Sequence, residues 1–150
     1  MFRRYAGKTK RMFFRGDTAR EVRDGSLVTI NDSGFVMPAG NDSDDMILGV
    51  ARRNDTITDS AMVPVEVPVE SAVEWLIDLD SDAGALDSDI FRSVSVDSVG
   101  GGSVAAGDSN AMRLDISDSV AAQVFVTKRV SASQVIGVLT NTVWHQTFDT

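Results

Sequence analysis

Apolar and polar residues alternate with a period of two along most of the chain. Val63, Val65, Val67 and Val69 fall on one side of an extended segment, with Pro64, Glu66, Pro68 and Glu70 on the other. That pattern predicts a strand with one buried face. Two prolines cannot donate ladder hydrogen bonds, which predicts a sheet edge or an extended connector for this strand. Trp75, Ile77 and Leu79 form a second inward set. Ile90, Val94 and Val96, then Met112, Leu114 and Ile116, repeat the alternation, and so do Val124 with Val126 and Val135 with Leu139 around Gly137. Residues 143–148 (VWHQTF) predict a closing strand. No window of a dozen residues keeps a clean apolar repeat at three and four, so long amphipathic helices are not expected, and residues 20–23 could make one helical turn.

Residues 16–51 hold the best-defined local module. Two apolar runs, SLVTI over 26–30 and FVM over 35–37, flank Asn31-Asp32-Ser33-Gly34. A polar cluster ending in glycine predicts a tight hairpin there. A third run, MILGVA over 46–51, follows an acidic loop at 41–45, and Gly100-Gly101-Gly102-Ser103 reads as a loop or hairpin tip. Eight to ten short strands separated by Gly, Asp, Asn and Ser turns predict an all-β fold. The expected architecture is a single β-sandwich or barrel-like domain of short antiparallel strands with an extended basic N-terminal arm. The arm is placed at 1–15 and the β-rich body at 16–150, with the hairpin module over 16–53 and the remaining strands over 60–150.

Charge changes the picture. Residues 1–15 carry Arg3, Arg4, Lys8, Lys10, Arg11 and Arg15 without an acid, a net of +6. The remaining 135 residues carry the other eight basic residues against all 22 acids, a net of −14. Such asymmetry predicts that the basic segment docks on an acidic partner while the body stays soluble by self-repulsion. Phe2, Tyr5, Met12, Phe13 and Phe14 lie among those cations, and docking onto the protein's own body, a subunit or a partner gives them apolar surface to cover. The alternative is a solvated terminus. The segment lacks a continuous apolar stretch and a small-residue cleavage site, so it does not read as a secretory signal. With 150 residues and 43% hydrophobic content the chain can bury one core. The absence of cysteine removes disulfides, thiolate nucleophiles and Cys-based zinc sites.

Candidate chemistry is sparse. Asp78, Asp80, Asp82 and Asp89 occupy positions 1, 3, 5 and 12 of a calcium-loop frame. Position 6 is Ala83 where an EF-hand requires glycine, position 12 is not glutamate, and the flanks alternate like strands. An EF-hand is excluded, and a looser calcium loop in a β-connection stays open. Asn41, Asp42, Asp44 and Asp45 make a weaker second acidic loop. His145 is the only histidine, and no serine near it in sequence has the setting of a triad nucleophile. The glycine run at 100–102 has no following lysine to make a phosphate loop. The negative body argues against a phosphate backbone as partner. No catalytic residue, cofactor or membrane contact is expected.

The order of pieces in the module carries a resemblance. Gly16-Asp17, Asp24-Gly25-Ser26-Leu27-Val28, Asp32-Ser33-Gly34-Phe35-Val36-Met37-Pro38-Ala39 and Ile47-Leu48-Gly49-Val50-Ala51 resemble the glycine-acid turn and successive strands of small tailed-bacteriophage capsid decoration (cement, head-stabilising) proteins. It covers residues 16–51. It implies a non-enzymatic β-rich virion protein, made in the host cytoplasm, that binds the outside of an assembled head as a homotrimer and clamps neighbouring major capsid protein subunits. The basic segment ahead of the module lies outside the resemblance. Arg3, Arg4, Lys8, Lys10, Arg11, Phe13 and Phe14 are the expected partner contacts, and deleting 1–15 is expected to abolish capsid binding while the body folds. Rival expectations are a tail-tube or head–tail connector subunit, whose acidic wall would let DNA slide, and a calcium-dependent carbohydrate-binding or adhesion module built on the loop from Asp78 to Asp89.

Overall fold

The computed structural model describes residues 1–17, 21–39, 46–53, 55–56, 61–70, 73–79, 85, 87–96, 114–116, 119, 123–140 and 142. They form thirteen strands and no α-helix. In chain order these are β1 (Phe2–Ala6), β2 (Thr9–Arg15), β3 (Glu21–Val22), β4 (Leu27–Ile30), β5 (Val36–Pro38), β6 (Ile47–Ala51), β7 (Asp55–Thr56), β8 (Met62–Pro68), β9 (Glu74–Asp78), β10 (Ser93–Val96), β11 (Leu114–Asp115), β12 (Val124–Ser131) and β13 (Gln134–Leu139). A single 3₁₀ turn, Asp87–Asp89, precedes β10. A six-stranded sheet runs β1-β9-β13-β12-β10-β11, a five-stranded sheet runs β2-β8-β6-β4-β5, and β3 pairs with β7. All strand pairs are antiparallel, and one sheet curls as a half-barrel. The fold is all-β, with more strands than the eight to ten expected. Three of the extra pieces (β3, β7, β11) are only two residues long, too short to show a period. Glu21–Val22 is strand, not the helical turn entertained over 20–23.

Two apolar clusters flank the five-stranded sheet. The first joins Trp75, Ile77, Val124, Val135 and Leu139 of the six-stranded sheet to Leu27, Ile47 and Val50 of the other, so it is the layer between the sheets. The second collects Val28, Val36, Leu48, Val63, Val65 and Val67, with Met12 and Phe14 packed against it. The valine alternation of 63, 65 and 67 is thus a buried stripe. Trp75, Ile77 and Leu79 also point inward. The hairpin between β4 and β5 forms as its sequence dictates. The Asn31 amide donates to the carbonyl of Phe35 at 2.9 Å, and the Asn31 side-chain oxygen accepts from the amides of Ser33 and Phe35. Gly34 takes φ +82°, the left-handed conformation glycine adopts without a Cβ penalty.

Strand β8 is not an edge. It pairs with β2 through all seven residues and with β6 through Glu66 and Val65. The prolines fit because of parity. Val69 donates to the carbonyl of Lys8 and Ala61 accepts from the amide of Gly16, so odd-numbered residues bond β2. Pro64 and Pro68 turn their nitrogens to the other side, where β6 pairs only through Val50 and Ala51 and the amide of Arg52 donates to Pro64.

The basic N-terminal segment is extended backbone, and both of its strands are hydrogen-bonded into the sheets rather than standing off the body. β1 is an edge of the six-stranded sheet and β2 an edge of the five-stranded one. Phe2 is fully buried in the inter-sheet core. The chain changes sheets at Gly7, where φ is +94° and a Cβ would lie 2.8 Å from Val73 Cα. Deleting 1–15 therefore removes two edge strands and a core phenylalanine along with the cations.

Candidate interaction surface

Concave sites are minimal among the described residues. A cleft lined by Pro68, Glu70, Val73, Trp75, Leu139 and Thr142 has room for about one water molecule. No group of three or more His, Cys, Asp or Glu side chains among the described residues could hold a metal ion. Two of the calcium-loop candidates are engaged elsewhere. Asp78 Oδ1 accepts from Arg3 Nη2 at 3.1 Å and Gln134 Nε2 at 2.9 Å, and its Oδ2 lies 3.4 Å from the Met1 ammonium. Asp89 is bound by Arg92 at 2.7 Å. Asp80, Asp82, the acidic stretch at 41–45, the glycine run at 100–102 and His145 lie outside the described residues. No helix of the described residues is long and apolar enough to cross a membrane.

The N-terminal cations divide by strand. On β1 they are consumed internally: Arg3 pairs with Asp78, and Arg4 lies 3.5 Å from Glu66 and donates to Thr9. Glu66 anchors a junction between the sheets. Its Oε2 accepts from Arg52 Nε at 2.6 Å, its Oε1 accepts from Thr9 at 2.7 Å, and Arg52 also reaches the Phe2 carbonyl at 3.1 Å. The same guanidinium lies 6.0 Å from the Trp75 ring centroid, a cation–π arrangement. Burial alone would raise the Glu66 pKa. Hydrogen bonds from Thr9 and Arg52 and the charges of Arg52 and Arg4 outweigh it and hold the carboxyl below its ordinary value. Asp78 follows the same logic: burial raises it, while the Gln134 hydrogen bond and the charges of the N-terminal amine and Arg3 bring it below its ordinary value.

On β2 the cations are left over. Lys10, Arg11 and Arg15 are exposed and make no ion pair among the described residues. Arg11 stands opposite Glu66 in the ladder, yet both Glu66 oxygens are already engaged by Thr9, Arg4 and Arg52. Phe13 lies between Arg11 and Arg15 on the same face and is 61% exposed, and Met62 opposite Arg15 is 47% exposed. Phe14, one residue on, has the opposite parity and packs against the second core cluster. Of the expected partner contacts, the structure therefore presents Lys10, Arg11 and Phe13 on one strand, with Lys8 exposed beside them. It commits Arg3 and Arg4 to internal pairs and packs the half-buried Phe14 against the second core cluster. Arg15 and Met62 were missed. Arg15 was recognisable from its spacing of four from Arg11, whereas Met62 needed the β2–β8 register.

A second exposed aromatic lies on the far side of the six-stranded sheet's core face. Phe91 adopts φ 65° and is 72% exposed, with its ring centroid 6.3 Å from that of Phe125. Its amide donates to the Val126 carbonyl, the Val126 amide donates to the carbonyl of Arg92, and the Asp89–Arg92 pair closes the turn. These contacts hold a bulky residue in a conformation it rarely takes. No signal in the sequence marked it. Comparison with protein-family models, with curated protein sequences and with solved structures finds no match.

Proposed function

We propose that this chain is a structural protein of the virion that binds the outer surface of an assembled phage capsid and stabilises it by clamping neighbouring major capsid protein subunits, acting as a homotrimer and carrying out no catalysis. The observation that carries the reading is the cationic strip on β2, at one end of the strand order of the five-stranded sheet. Lys10, Arg11 and Arg15, which make no ion pair among the described residues, and the exposed Phe13 stand there, on a chain whose residues 16–150 carry a net charge of −14. A cationic strip on an anionic body steers the molecule onto acidic surface and orients it on arrival. The resemblance of residues 16–51 to decoration proteins supports the capsid as that surface. Those residues build β3 to β6, and β4, β5 and β6 share the five-stranded sheet with the strip. Three modest contacts linked in a trimer gain avidity without any new chemistry.

The test is co-sedimentation of the full chain with expanded phage heads. Wild-type protein is expected to saturate the heads at a fixed ratio to the major capsid subunit, and Arg11→Glu/Arg15→Glu to bind at least about tenfold more weakly at physiological salt. Wild-type protein left in the supernatant sinks the reading, and so does a double variant that decorates heads as tightly as wild type.

A further inference from the structure

The outer face of the six-stranded sheet is apolar where a solvated face of an antiparallel sheet turns polar. Trp75 and Ile77 of β9, Val135 of β13, and Val124 and Val126 of β12 fill the layer between the sheets. Strand parity therefore turns Leu76, Ile136, Val138 and Phe125 to the opposite side, and the buried Ile136 belongs to neither core cluster. The ladder sets Phe125, Val138 and Glu74 in one row across the sheet and Lys128, Ile136 and Leu76 in the next. Phe91 lies beside the first row, its ring centroid 6.3 Å from that of Phe125 and its side chain exposed. The turn that holds Phe91 at φ 65° keeps a strained backbone under an exposed aromatic, and such strain concentrates at contact positions.

Two charges bracket this surface. Glu74 ends one row on β9 and Lys128 ends the next on β12, at opposite corners. Neither side chain makes an ion pair among the described residues. The face thus carries an acid, an apolar centre and a base, and is its own complement in charge. We infer that copies of this chain pack on one another through this face, the Glu74 corner of one copy against the Lys128 corner of the next, with Phe91, Phe125, Val138 and Leu76 covered between them. A partner of a single charge sign satisfies one corner and repels the other. In a closed ring of copies every Glu74 and every Lys128 is met once. Strand β2 lies in the other sheet, so its cations stay outside this contact. The inference takes the homotrimer from the reading above and adds the surface that joins its copies.

Sedimentation equilibrium of the full chain across micromolar concentrations is the test, and wild type is expected at the mass of a trimer. Glu74→Lys and Lys128→Glu each set like charges together, so each is expected to raise the concentration needed for assembly at least about tenfold. The double reversal Glu74→Lys/Lys128→Glu is expected to restore it. Phe91→Asp reaches the same loss by another route, and aspartate tolerates the left-handed backbone better than phenylalanine, so the turn is kept. Far-UV circular dichroism checks that every variant folds as wild type does. A wild-type monomer, an assembly that neither single reversal weakens, or a double reversal that restores nothing overturns the interface. Monomers that decorate heads overturn the interface and leave the capsid contact standing. A dimer that obeys the same charge rule supports the interface and overturns the homotrimer. A trimer that obeys the rule and leaves heads bare supports the interface and overturns the capsid reading.

Discussion

Replacing Phe2 by alanine tests whether the basic segment belongs to the fold. Its ring is fully buried in the layer between the two sheets, in the same cluster as Trp75 and Ile77. Its amide donates to the Gly25 carbonyl at 2.7 Å and its carbonyl accepts from Arg52, so neighbouring backbone cannot easily collapse into the vacated space. A buried phenylalanine truncated to alanine costs about 3–5 kcal/mol. For a chain of this length that is a fall in Tm of about 6–20 °C, at about 2–4 °C per kcal/mol. Phe13→Ala is the internal control. It removes the same side chain from the same segment at a position 61% exposed, and the expected change is within about 0.5 kcal/mol. Urea denaturation followed by tryptophan fluorescence reads both, since Trp75 lies in the affected layer. Should both variants unfold at the wild-type midpoint, β1 is not seated in the core and the two-strand account of residues 1–15 fails.

Other expectations follow from the same geometry. Glu66 and Asp78 have pKa values below their ordinary ones, so between their folded and ordinary values the unfolded chain binds more protons. Stability contributed by these groups is complete above the ordinary carboxylate range and drains away as pH falls through the folded pKa values. Denaturant midpoints measured from about pH 7 to about pH 2 should decline in the acid range, and Glu66→Gln should flatten that decline while lowering the midpoint at neutral pH. A Glu66→Gln curve parallel to wild type counts against the Thr9–Glu66–Arg52 cluster. Gly7→Ala should cost more than Gly34→Ala, because both glycines have positive φ but only Gly7 has backbone within 3 Å of the added Cβ, whereas Gly34 faces open space. The strain common to both is about 1–2 kcal/mol, and equal losses on thermal melts would remove the steric argument at Gly7.

Much of the β content was legible because alternation is a local property. Val63, Val65 and Val67 announce their shared face, and Asn31 to Gly34 announces a turn, without reference to the rest of the chain. The position of β8 was not legible. Proline excludes a ladder bond only on the side its nitrogen faces, and that side depends on a register fixed by the Val69–Lys8 and Gly16–Ala61 bonds, each between positions far apart in sequence. The N-terminal segment misled for a related reason. Only Phe2 of its first six residues enters the core, and Met12 and Phe14 alternate against Phe13 within one apolar run, so which parity turns inward is decided by β8. The internal neutralisation of Arg3 by Asp78 and of Arg4 by Glu66 spans more than sixty positions, beyond the reach of any local pattern. Charge totals therefore revealed that the segment was basic, but not which cations remained available.

That parity separates stability from recognition within a single strand. Even-numbered residues of β2 hold β8 with their backbones and, at Met12 and Phe14, fill the second cluster with their side chains. Odd-numbered residues present the side chains of Arg11, Phe13 and Arg15 to solvent. Substitutions at the odd positions can therefore change partner affinity with little effect on folding, while those at the even positions act through the core. A one-residue slip of β2 against β8 would exchange the two roles, placing Arg11 and Phe13 toward the cluster and Met12 toward solvent. The desolvation cost of Arg11 in that apolar layer opposes the slip. The cations that we propose select an acidic partner thus also fix the register that presents them.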